Sequence, residues 1–570
     1  MLLQKLKEYA DMRMTLPPPL YSETPVRYII ELDRAGTPLS PQPTDTADPS
    51  NRRTKRGQIY MMPQVQRSSG IKPLLLASNA EYTLGLARDP AKQPRVAAGF
   101  AAYVDLVDRC VAATQEPAIQ AVQTFLHNDP AAQLHLAADF DRGATITFRV
   151  DGHFPTDIPS VQAFWAAEHR PTAGNAAVMQ CIVCGQERPV LERLQGKIKG
   201  VPGGQSSGTA LISANAEAFE SYGLEASLIA PTCADCGERF TKAANDLLGS
   251  EQNRVFIAGS VVIFWTRQAV DFNFFTFLTD ADAQQVQALI EAVRTGKWIP
   301  DVDATAFYSV MLSASGGRTV VRDWIDTTVG TAKAHLARWF LWQRVVDAYG
   351  EAARPLGIRA LAAATVRELK DLPTPTIRAL FRTALIGTPL PTSMLYQTIR
   401  RCRAAQNVTH QQAALIKLVL CSQNVFTQET AMIELDLDNR SPAYRCGRLL
   451  AVLAEVQRNA IGKAAIVDRF YGTASSAPAS VFPRLLRGAQ PHLTKLERDK
   501  RPTAHALQQR LEEVMSGITH FPTTLTLNDQ GLFALGFYHQ RAYDRSQMMA
   551  ASARKKAADT ATSAPESADC

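Results

Sequence analysis

Apolar positions along the chain recur in two rhythms, and the dominant rhythm changes from front to back. In the front half, short runs behave as strands: Tyr28, Ile29, Ile30 and Leu32 within residues 26–33, Ile146, Phe148 and Val150 within 145–150, the β-branched and aromatic run 255–265, and residues 307–312. Helical spacing interrupts them at residues 90–130 and 281–295, and a short N-terminal helix precedes Pro17, Pro18 and Pro19. The Pro, Gly and Ser-rich tract 36–50 reads as a loop. From about residue 331 the spacing is helical. Leu336, Trp339 and Phe340 fall at i, i+3 and i+4, and Cys446, Leu449, Leu450, Leu453 and Val456 keep that spacing after Ser441 and Pro442, an N-cap and first-turn pair. The pattern predicts an α+β fold: a mixed α/β N-terminal part followed by a C-terminal α-helical bundle.

Composition narrows the class. A chain of 570 residues has room for about three packed units at ~100–200 residues each. Its 46% hydrophobic content and net charge of only +7 exclude a mainly disordered chain. The longest clearly apolar runs, such as 261–265, fall far short of the ~20 residues that a membrane-spanning helix needs. The first fourteen residues carry Lys5, Lys7, Glu8, Asp11 and Arg13 in place of an apolar signal core, so a cytoplasmic protein is expected. Nine cysteines, four of them in two C-x-x-C pairs, fit a reducing compartment.

Of the 61 cations, 44 are Arg, whose planar fork suits phosphate oxygens and base edges. Their placement is uneven. No acid occurs between Asp48 and Glu81, where Arg52, Arg53, Lys55, Arg56, Arg67 and Lys72 lie. A second acid-free stretch, residues 372–428, holds Arg378, Arg382, Arg400, Arg401, Arg403 and Lys417. Ordinary surfaces mix both signs, and phosphate contacts account for stretches that do not.

Cys181-x-x-Cys184 and Cys233-x-x-Cys236, each followed by glycine, predict a four-thiolate zinc site with bonds of ~2.3 Å. The 48 residues between the pairs make this a zinc-ribbon-like insertion, and a closed site of this kind is structural. The expected divisions are 1–178 (α+β), 179–250 (cysteine region with a polar loop), 251–345 (the rest of the α+β part), 346–550 (helical bundle) and 551–570 (tail). Residues 204–208 match G-x-S-x-G, but a loop precedes Ser206 and residues 209–213 read as a strand, the reverse of a nucleophile elbow. The tract 197–208 instead offers backbone N–H groups, hydroxyls and two lysines, suited to phosphate or base-edge contact. Phosphate-loop, dinucleotide and H-E-x-x-H motifs are absent, so no catalytic residues are expected.

Several strings together resemble one family. Residues 68–73 with 79–82, residues 205–208 through Asn215 with 219–223, Pro442-Ala443-Tyr444 with Gly447-Arg448-Leu449, residues 481–486 and residues 530–540 are similar to the large subunit of the type I-C (Dvulg subtype) CRISPR Cascade complex, from the first helix to about Arg541. The resemblance implies a non-catalytic antiviral-defence subunit that recognises the protospacer-adjacent motif (PAM) in double-stranded DNA. Such a subunit promotes duplex opening and R-loop formation and holds the displaced strand. Its partners would be the CRISPR RNA, the backbone subunits, the subunit holding the RNA 5′ handle, small subunits and a helicase-nuclease, with no membrane. On this reading Arg52, Arg53, Lys55, Arg56, Arg67, Ser69, Gly70, Lys72, Asn79, Gln205, Ser206 and Ser207 contact the PAM duplex, and Arg378, Arg382, Arg400, Arg401, Arg403 and Lys417 the displaced strand. The helical C-terminus further resembles the small subunit, made by internal translation, with Met432 after Gln428 and Glu429, or Met394, as its start. The competing class is a stand-alone zinc-containing nuclease.

Overall fold

The computed structural model describes residues 1–562 apart from 49, 52, 53, 66–69, 170–175, 195, 215, 298, 299 and 427–431, and apart from the side chains of 300, 301 and 555–562. The chain forms two compact units. One comprises Met1–Gly200, Gly204–Asp246 and Gly316–Thr319; the other comprises Val201–Gly203, Leu247–Ser315 and Val320–Cys570.

In the first unit the extended run near residue 28 is two strands, β1 (Tyr21–Val26) and β2 (Tyr28–Leu32). Arg27 separates them. β1 pairs antiparallel with β4 (Gln58–Pro63), while β2 joins a four-stranded sheet with β3 (Thr44–Asp45), β5 (Ala77–Ser78) and β6 (Ile146–Val150) in the order β3-β2-β6-β5. Because β2 and β6 are parallel, a long crossover must join them, and the amphipathic helices Gln93–Thr114 and Pro117–His127 lie within it. Their buried faces meet the sheet in a core that includes Tyr103, Phe125, Phe148 and Trp165. Gly57 has φ +113°, and a Cβ there would sit 2.2 Å from the Val26 carbonyl oxygen, so only glycine fits the turn into β4. A hairpin of β7 (Val178–Gln180) and β8 (Glu187–Pro189) and the helix Ala234–Gly249 carry the cysteines.

The second unit opens on β9 (Arg254–Ile257) and β10 (Ser260–Thr266), antiparallel neighbours in a sheet completed by β11 (Ala306–Ser315) and β12 (Arg318–Thr328) in the order β12-β11-β10-β9. The run 255–265 is therefore a hairpin. Ala258 and Gly259, with φ 42° and 73°, make its two-residue turn. The helix Val329–Gln343 buries Leu336, Trp339 and Phe340. One hydrophobic cluster continues from this sheet through the remaining helices.

Among those helices, His410–Ser422 is buried around its circumference from Gln412 to Ser422. Pro442–Ile461 and Leu527–Thr562 approach so closely that a Cβ on Gly447 would lie 2.0 Å from the Phe533 carbonyl oxygen, and one on Gly536 2.1 Å from that of Tyr444. Between them Arg448, fully buried, donates to both Glu513 carboxylate oxygens at 2.9 and 2.7 Å and to Gln540 at 3.0 Å. Burial holds His539 neutral, pushing it down to about 3, with the Tyr444 hydroxyl 3.0 Å from its Nδ1. The strings 442–449 and 530–540 thus form a tightly interlocked helix pair. Among the described residues no helix is long and apolar enough to cross a membrane. Met432 is buried; Gln428 and Glu429 lie outside the described residues.

Candidate nucleic-acid interface and cysteine cluster

The β7–β8 hairpin presents Cys181 and Cys184 in a tight knuckle. The Gly185 N–H donates to the Cys181 carbonyl at 2.8 Å, and the φ of 73° at Gly185 turns the chain back. Cys233 immediately precedes the helix Ala234–Gly249, and Cys236 lies in its first turn, where the helix dipole favours thiolate. The two halves are tied by the Ile182 N–H to Pro231 O at 2.9 Å, the Leu191 N–H to Thr232 O at 3.1 Å and the Cys233 N–H to Cys181 Sγ at 3.5 Å. All four sulfurs lie within 4.8 Å of one another, and Cys181, Cys233 and Cys236 are buried. Tetrahedral zinc with ~2.3 Å bonds needs sulfurs about 3.8 Å apart, so the set fits with small adjustment.

The thiols also share charge as a metal site requires. Hydrogen bonding from Cys236, helped by Cys181 and Cys184, draws Cys233 down to about 5, while that same hydrogen bond to Cys233, then burial and the Cys233 charge, push Cys236 up. The Cys233 thiolate forms readily while Cys184 and Cys236 resist ionising beside it, and a cation among the four sulfurs would relieve that repulsion.

The same helix reaches the polar loop. Asn245, near its C-terminal end, accepts from the Lys199 N–H at 2.8 Å and donates to the Lys197 carbonyl at 3.0 Å. Beyond this clamp the Ile198 and Thr209 backbones bridge, and Gly208 (φ 95°) turns with its N–H on the Gln205 carbonyl at 2.9 Å. Gln205, Ser206 and Ser207 stand exposed on that turn. Residues 209–213, expected as a strand, make only isolated bridges, of Thr209 to Ile198 and of Ala210 to Arg318. The cysteine cluster, the helix and Asn245 form one continuous brace for the loop.

Of the front cations, Lys55 and Arg56 are exposed on the turn before β4, and Gly70 and Lys72 are exposed in coil. Asn79 is half-buried at the start of a four-residue helix, its Oδ1 without a hydrogen-bond partner among the described residues. Arg52, Arg53, Arg67 and Ser69 lie outside the described residues.

The helical cations divide. Arg400 is exposed, and Arg378 is exposed with Asp323 at 3.6 Å. Arg382 is half-buried and donates to Asp323 at 2.9 Å. Arg401 is half-buried with no partner for its Nε among the described residues. Arg403 turns inward to Ser475 Oγ (3.2 Å) and Gln530 Oε1 (3.0 Å). Lys417 has no exposed surface; its ammonium donates to the Arg344 carbonyl at 2.7 Å, and burial lowers it to about 8. Lys417 is thereby corrected from a strand contact to an internal hydrogen-bond donor. Arg403 braces the helices in the same way.

A large α+β protein with a helical C-terminal region, a four-thiol cluster and a braced polar loop defines the class. Its family is shown by sequence: the model for CRISPR-associated protein (Cas_Csd1) matches residues 2–543, nearly the whole chain, and the protein belongs to that family. No curated protein matches. The brace depends on one residue that sequence reasoning missed. Asn245 sits at the end of an amphipathic helix, 46 residues from the loop N–H it accepts, and carries no local motif.

Proposed function

We propose that this chain is the non-catalytic large subunit of a type I-C-like RNA-guided Cascade complex. It recognises the PAM in duplex DNA, promotes opening and R-loop formation, helps hold the displaced strand and helps recruit a helicase-nuclease. The observation that carries the reading is the exposed turn Gln205-Ser206-Ser207 on a loop fixed by Asn245. A short motif read by a few polar groups needs donors and acceptors held in one place, since guide pairing supplies the remaining specificity. Lys55, Arg56 and Lys72 are suited to the phosphates that position the duplex, and Arg400 and Arg378 to the displaced strand.

Cys181, Cys184, Cys233 and Cys236 would hold zinc as a structural clasp. Four thiolate ligands leave no position for a catalytic water, which disfavours a stand-alone zinc nuclease. In the assembled complex, replacing Gln205, Ser206 and Ser207 together by alanine is expected to weaken PAM-containing duplex about ten- to a hundredfold, as loss of base-edge contacts does, and PAM-lacking duplex far less. Equal losses on the two duplexes, measured by filter binding, contradict the assignment.

A further inference from the structure

Between Lys199 and Arg239 the chain has no Lys or Arg, but it carries Glu217, Glu220, Glu225, Asp235 and Glu238. Part of this stretch is a compact excursion closed at its base by the Ala214 N–H on the Ala226 carbonyl at 3.3 Å. At its tip Ser221 and Leu224 bridge around Tyr222 and Gly223, with φ 56° and 71°, a two-residue turn of the kind that favours Asn-Gly. Tyrosine in that left-handed position is strained, since its Cβ crowds the backbone as glycine would not. Burial offers nothing in return, because Tyr222 is 99% exposed. Phe219, 52% exposed, stands beside it in sequence with the Arg318 guanidinium 3.7 Å over its ring, which fixes the ring's orientation. Glu217 and Glu225 flank the two aromatics and are exposed.

We infer that this acidic, aromatic tip is a protein-docking plug: Tyr222 and Phe219 enter an apolar pocket on another subunit, and Glu217 and Glu225 meet Lys or Arg on its rim. Nucleic acid is the poorer occupant, since the flanking carboxylates repel phosphates while the exposed rings match the aromatic anchors that dominate protein interfaces. The same carboxylates give the contact its partner preference.

The inference rests on the reading of the chain as one subunit of a multiprotein complex, and the test separates the two. The complex is assembled with Tyr222→p-benzoylphenylalanine and irradiated, and the adduct is identified by mass spectrometry, with the unsubstituted chain assembled in parallel. The expected result is a covalent adduct to one defined protein subunit or to the recruited helicase-nuclease. Glu217→Lys with Glu225→Lys should cut its yield at least about tenfold. Tyr222→Asn should leave the thermal midpoint unchanged or raised while weakening the same association. An adduct to DNA or guide RNA, no adduct in an assembled complex, or a yield indifferent to charge reversal overturns the plug and leaves the functional reading standing. A chain that assembles with no partner overturns both.

Discussion

Arg400 and Lys417 lie in the same acid-free stretch, yet one stands in solvent and the other has no exposed surface. The difference was readable in part: Lys417 sits within Ala413-Ala414-Leu415-Ile416 and Leu418-Val419-Leu420, an apolar setting that a surface lysine does not have. Counting charges in a window misses this, because a window has no inside or outside until a helix face is assigned. Arg400→Ala should therefore lower R-loop stability and flatten its salt dependence by about one counterion, whereas Lys417→Met should leave that slope unchanged and alter only thermal stability. Parallel salt titrations check both, and equal slope changes would contradict the sorting. Arg403 was less legible than Lys417, since its partners Ser475 and Gln530 come from distant parts of the chain.

At the scale of elements, the helix Ala234–Gly249 joins two features that the sequence presents separately. The paired C-x-x-C spacing made the cluster legible, because ligand geometry is local to each knuckle and the glycine after each pair completes the turn. The brace to residues 197–199 was not legible, since one asparagine hydrogen-bonding a distant backbone leaves no periodic or compositional trace. The expected strand at 209–213 failed for a related reason: its partners are short stretches that bridge at single residues instead of a long edge. Zinc removal tests the element. The purified chain should contain about one zinc, and stripping it, or Cys233→Ser, should raise hydrogen exchange in residues 178–208 and 233–245 and reduce discrimination for PAM-containing duplex. Unchanged exchange there would separate the cluster from the loop.

Across the whole molecule, the fold class was legible because strand and helix periods change along the chain, and the structure has an α+β front with a helical C-terminal region. The strings 442–449 and 530–540, which are among those that mark the family resemblance, lie in a helix pair whose glycines allow backbone contact and whose buried Arg448 donates internally to Glu513 and Gln540. Family resemblance there reports packing. The exposed loop and tip that carry the functional proposals, residues 205–208 and 219–223, lie in the first unit and are themselves among the resembling strings, so the resemblance marks exposed surface as well as packing. The net charge of +7 likewise averages exposed cations at Lys55, Arg56, Lys72 and Arg400 with a cation-free stretch around Tyr222. The most direct test of the central claim is to purify the tagged chain from cells expressing the neighbouring CRISPR components and determine what accompanies it. The account predicts a short CRISPR RNA and repeated backbone subunits in fixed proportion, and no DNA cleavage by the isolated chain with magnesium or manganese. A chain that purifies without RNA or partners and cuts DNA unaided would contradict it.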